Sequence, residues 1–187
     1  MRAKLRYDSR AKDYVRDSTL TKAVAIGLIG GLVGTIIMDL FGVGLILAMG
    51  APASISFAII GDATAGFFSM LGIALAGGTP LGAVVHYLIG PVFGAIFGVA
   101  VSRIDAIRVD SLKKGVGLGI LYVEVMSLPL LGAAAIILKM TASMTAQWFG
   151  ISFVMHLVYG IALGLIICYG LGSTTSRPLH YRAEQDD

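Results

Sequence analysis

Four apolar runs, at about residues 22–48, 80–102, 114–138 and 147–171, restrict this chain to helices that cross a bilayer. A spanning helix needs about 20 mostly apolar residues, and each run is longer than that. Hydrocarbon offers no partner for backbone N–H and C=O groups, so such runs must pair those groups internally, as α-helices do. Composition agrees, with 57% of residues hydrophobic and 13% charged. The expected fold class is all-α, a polytopic membrane protein with a four-helix transmembrane bundle.

A fifth apolar stretch, about 54–77, carries Asp62 near its start. The distribution of Lys and Arg decides how it is used. One basic group precedes or opens the first run (Arg2, Lys4, Arg6, Arg10, Lys12, Arg16, Lys22), a second occupies the linker at 103–114, and a third lies in the tail. Basic clusters stay on the cytoplasmic side, so an even number of crossings separates them. Between Lys22 and Arg103 that allows two crossings, and the 54–77 stretch then begins and ends on the outer side. It is expected to be a re-entrant helix, the alternative being a fifth full span.

The resulting plan has a basic cytoplasmic segment at 1–21, a transmembrane domain at 22–172 and a polar cytoplasmic tail at 173–187. It places the protein in the cytoplasmic (inner) membrane with both termini inside. The first run is also longer than the roughly 7–15 apolar residues of a signal-peptide core, so it is expected to be an anchor. Net charge is +3. Because the basic residues border apolar runs, that charge suits lipid headgroups, and no nucleic-acid partner is expected. Cys168 is the single cysteine, which excludes an intrachain disulfide.

Two cassettes repeat within these runs. His86-Tyr87-Leu88-Ile89-Gly90 is followed by Gly94 and Gly98, and His156-Leu157-Val158-Tyr159-Gly160 by Gly164 and Cys168. The start of each half also matches, Lys22 to Gly27 against Lys114 to Gly119. The pattern predicts two similar helical hairpins. Small residues at every fourth position let backbones approach closely in lipid. Gly82, Gly90, Gly94 and Gly98 form one such stripe, Gly160 and Gly164 another, and Gly27 and Gly31 a third that continues through Thr35 to Asp39.

Each stripe with an ionisable residue turns that residue away from lipid. At about 1.5 Å per residue, His86, His156 and Asp39 fall in the outer half of the bundle and Glu124 near its middle. Asp62 would enter from the same side. Ionisable groups at membrane depth are costly and mark functional sites by default. Three uses are open for His86, His156, Glu124, Asp39 and Asp62. They could form structural His–acid pairs. They could bind a transition metal through His86, His156 and Glu124, or haem b between the two histidines. They could also relay protons or pass a small ion. No glycine-rich phosphate loop, nucleophile elbow, Cys-x-x-Cys or His-Glu-x-x-His motif occurs, so self-contained catalysis is not expected.

From the third run onward the chain resembles the YagU family of uncharacterised inner-membrane proteins. The matching stretches are Val85-His86-Tyr87, Lys114-Gly115 leading into Glu124-Val125-Met126-Ser127-Leu128-Pro129-Leu130-Leu131-Gly132, and Met155-His156-Leu157-Val158-Tyr159. They cover about half the protein. Glu124 stands where the family pattern has a histidine. The resemblance implies fold and location, and the family brings no established reaction with it. The expected role is a non-catalytic membrane subunit or scaffold, in contact with lipid and with other membrane subunits or further copies of itself.

Overall fold

The computed structural model describes the backbone of residues 2–172 and the side chains of residues 19–171. The tail at 173–187 lies outside the described residues. Five helices make up the fold, and no strand occurs among the described residues: α1 (Arg2–Ala48), α2 (Ile55–Met70), α3 (Thr79–Arg103), α4 (Leu112–Ile137) and α5 (Ala142–Gly172). Four are long and apolar enough to cross a membrane, over Thr19–Ala48, Thr79–Arg103, Leu112–Ile137 and Ala142–Leu171. The protein is a multi-pass membrane protein.

Two boundaries differ from the sequence reading. No glycine or proline occurs between Arg2 and Ile26, so α1 continues through residue 22 without a break. α2 covers 16 residues, about 24 Å of helix, and falls short of a span. Leu71 caps it, and Gly72 then adopts a φ of 78°, a left-handed conformation that glycine enters without penalty. The remainder of the expected 54–77 stretch is a non-helical return to α3. There Gly78, with a φ of 81°, stands before the first turn and Pro80 lies inside it.

Glycine-to-glycine contact sets the packing. A Cβ on Gly27 would run into the Gly94 carbonyl, and one on Gly31 into the Gly90 carbonyl. The same relation joins Gly119 to Gly160 and Gly164 to Gly115. Thus α1 pairs antiparallel with α3, and α4 with α5, by backbone contact that only the absence of side chains permits. Gly30 and Gly34, on a second face of α1, meet Leu163 and Tyr159 of α5. α1 and α5 are therefore the inner pair of the bundle, and Tyr159, Leu163 and Ile167 of α5 are almost fully buried.

Register refines the repeat. The histidine cassettes are 70 positions apart, and so are Gly90 and Gly160. Their partners on the other helix of each pair are Gly31 and Gly119, 88 positions apart. The Lys22 and Lys114 motifs are offset by 92. Charged borders and packing faces thus differ by four residues, one helical turn.

α3 and α4 touch little. Tyr122 of α4 spans the space between them, its hydroxyl donating to the Phe93 carbonyl at 2.9 Å and its ring tilted over Phe97 at 4.9 Å. Elsewhere α2 fills the gap. Gly82 lies against Phe57 and Gly61 against Gly78, so α2 runs antiparallel to α3; Gly66 meets Ile137 of α4.

Adding one methyl group at the α1–α3 crossing should be felt. Gly94→Ala is expected to cost about 1–3 kcal/mol of stability through overpacking. Gly132→Ala, where a Cβ meets nothing within 4 Å, should leave the melting temperature of detergent-solubilised protein unchanged or slightly raised.

Candidate functional site

The i, i+4 stripe that brings Gly90 and Gly94 against α1 also turns His86, one turn earlier, toward Asp39. His86 Nε2 donates to Asp39 Oδ1 at 3.0 Å. Asp39 is 9% exposed. The edge of the His86 ring meets the Phe57 ring of α2, with centroids 5.5 Å apart. The Tyr87 hydroxyl approaches the Asp39 carboxylate, yet no hydrogen bond reaches Asp39 Oδ2.

The second hairpin carries a looser version of this pair. His156 Nδ1 stands 4.0 Å from Glu124 Oε2, beyond hydrogen-bond range. Neither His156 Nδ1 nor Glu124 Oε1 has a partner. Register explains the difference. With the 88-residue offset, Ser127 occupies the position of Asp39, and the acid sits three residues earlier at Glu124. The Ser127 hydroxyl is turned back to the Glu124 carbonyl, at 3.0 Å.

Tyr159 ties the halves together, donating from its hydroxyl to the Gly90 carbonyl at 2.6 Å. Its place in the second cassette, one turn from His156, was visible in the sequence, but its partner on α3 was not. Thr35 is fully buried on α1, donates to the Gly31 carbonyl at 2.8 Å and lies directly against Gly90.

These groups border one cavity of about 380 Å³, between α2 and the four long helices. Asp39, His86 and His156 supply its ionisable lining, and Trp148 and Tyr159 face it as well. Its walls are largely apolar, with Phe57, Ile60 and Phe67 from α2, Phe93 from α3, and Leu130 and Ile137 from α4. Trp148 lies eight residues before His156 on α5, so the lined space extends about 12 Å along that helix. Three of the buried side-chain atoms without a partner belong to this lining: Asp39 Oδ2, His156 Nδ1 and Trp148 Nε1.

Of the five ionisable residues expected to converge, three line the cavity and Glu124 stands beside His156. Asp62 is elsewhere. Its Oδ1 accepts from the Gly78 N–H at 2.7 Å, fastening α2 to the start of α3. Among the described residues, no group of three or more His, Cys, Asp or Glu side chains is placed to hold a metal ion. Comparison with protein-family models, with curated proteins and with solved structures finds no match for this chain.

The two histidines should differ as structural elements. His86→Ala leaves a buried carboxylate without its donor and is expected to cost about 3 kcal/mol. His156→Ala removes an imidazole whose Nδ1 bonds to nothing, and should cost markedly less. Thermal unfolding of the two variants side by side in one detergent checks the order.

Proposed function

We propose that this chain is a non-catalytic integral membrane protein that holds a small lipophilic molecule within its helical bundle. The observation that carries the reading is the cavity itself: a mostly apolar chamber of about 380 Å³ with a few unsatisfied polar atoms in its lining. Ligand sites have this character, apolar walls for affinity and a small number of polar groups for orientation. Each buried polar atom left alone costs about 1–3 kcal/mol, so an occupant that partners them is strongly favoured. The arrangement of basic residues supports a cytoplasmic-membrane protein with both termini inside, which puts α2 and the cavity toward the outer leaflet. Large apolar side chains exposed along α1, such as Ile29 and Leu40, suit lipid or a neighbouring membrane subunit equally. Membership of the YagU family remains part of this reading, resting on the three stretches that carry the resemblance.

Trp148 is the only tryptophan in the chain and lines the cavity, so it reports occupancy directly. Titrating a brominated alkanol into nanodiscs that contain the protein should quench Trp148 saturably, at one site per chain. Thr64→Phe should abolish the saturable phase, because Thr64 faces the cavity and its hydroxyl bonds only within α2, to the Ile60 carbonyl. Quenching that rises linearly with lipid partitioning and is unaffected by Thr64→Phe would overturn the reading.

A second reading, passage of protons, is favoured by the gap between His156 and Glu124. Both groups lack partners there, and 4.0 Å closes with a small side-chain rotation. On this reading Glu124→Gln in proteoliposomes should lower proton flux without lowering thermal stability. Equal flux in wild type, Glu124→Gln and empty vesicles would remove it.

A further inference from the structure

We propose that the occupant of the cavity is a lipophilic organic cation, an apolar body carrying a protonated amine whose N–H groups bind Asp39. This rests on the ligand-holding function above and specifies its chemistry.

Charge is the first ground. The lining contains one carboxylate, Asp39, two imidazoles and no Lys or Arg. Its acid therefore has no fixed cation beside it in the lining, in surroundings that solvate a carboxylate poorly. His86 satisfies Asp39 Oδ1 and leaves Oδ2, inside a residue only 9% exposed, with no hydrogen-bond partner. A neutral occupant adds no positive charge to that lining. A protonated amine adds one and supplies a charge-assisted hydrogen bond, about twice as strong as a neutral one.

Donor and acceptor inventory is the second. An ionised carboxylate only accepts, and His156 Nδ1 accepts when the imidazole proton is on Nε2. The two atoms sit on α1 and α5, the inner pair of helices. An ammonium supplies N–H donors, the group that both of these atoms lack. Trp148 Nε1 only donates, and its residue stands about 12 Å along the α5 axis from His156.

The walls are the third. Phe57, Phe67, Phe93, Trp148 and Tyr159 border the space, and aromatic faces attract cations in a desolvated setting. A bare metal ion is the weaker candidate, because the described residues offer it no group of three ligating side chains. Hydrocarbon attached to the positive charge is what this lining suits.

The test uses full-length protein in nanodiscs of zwitterionic lipid, with the brominated alkanol as reporter on Trp148. Two competitors share one carbon skeleton: phenylbutylamine, an ammonium at neutral pH, and phenylbutanol, which is neutral. In wild type the amine should displace the reporter at a concentration lower by at least about tenfold, the worth of one charge-assisted hydrogen bond. Asp39→Asn keeps an oxygen to accept from His86, so the fold should be preserved. In that variant the advantage of the amine should vanish, the amine and phenylbutanol then displacing the reporter at equal concentrations. Equal potency of amine and alcohol in wild type would overturn the cationic assignment and leave ligand holding intact. So would an amine advantage that survives in Asp39→Asn. If the reporter shows no saturable site at all, ligand holding fails first and the cationic assignment falls with it.

Discussion

Direct contact between glycine backbones is the constraint on which this molecule depends. In lipid, helices gain nothing from hiding apolar surface, because the solvent is itself apolar; close packing and polar contacts must hold them together. Gly27, Gly31, Gly90 and Gly94 bring α1 and α3 so near that the carbonyl of one helix occupies the place of a side chain on the other. Gly115, Gly119, Gly160 and Gly164 repeat the device between α4 and α5. Everything polar follows from those two crossings. Asp39 reaches His86 because α1 and α3 already touch at Gly90, one turn from His86, and Tyr159 reaches the Gly90 carbonyl past Gly34 of α1, which packs on its ring.

The same tightness leaves α3 and α4 apart, and the short helix α2 closes that separation. Phe57 and Ile60 bring apolar surface over the polar floor, while Asp62 anchors the helix to Gly78. The result is a chamber roofed by a helix of 16 residues, shorter than a span. Polar atoms within it are held against an apolar lining, where a missing partner is most costly. Asp39 Oδ2 and His156 Nδ1, both without a partner in the lining of one chamber, are the ground for the ligand-holding function proposed above.

Much of this architecture could be read before any coordinates. Four spans followed from run lengths, and the inward placement of His86, His156 and Asp39 followed from their membership of small-residue stripes, since a period of four puts them on the packed face. The pairing of spans into hairpins matches the contacts that dominate the fold. Other features were hidden for identifiable reasons. A position in the sequence does not tell which neighbour an acid faces, and Asp62 faces the α3 cap. The Lys22 and Lys114 motifs are offset by one turn from the crossing glycines. On the glycine frame Asp39 corresponds to Ser127, and the second acid, Glu124, stands three residues earlier, 4.0 Å from His156. The role of α2 as a wall was illegible because a uniformly apolar stretch carries no periodicity from which to choose a face.

The most direct measurement is the distance between Asp39 Cγ and His86 Nε2 in protein labelled with ¹³C and ¹⁵N, determined by magic-angle-spinning dipolar recoupling in lipid bilayers. A 3.0 Å hydrogen bond requires a small but measurable coupling, at a carbon–nitrogen separation of about 4 Å. Absence of any measurable coupling would show the two side chains facing different surroundings, and the polar chamber described here would not exist.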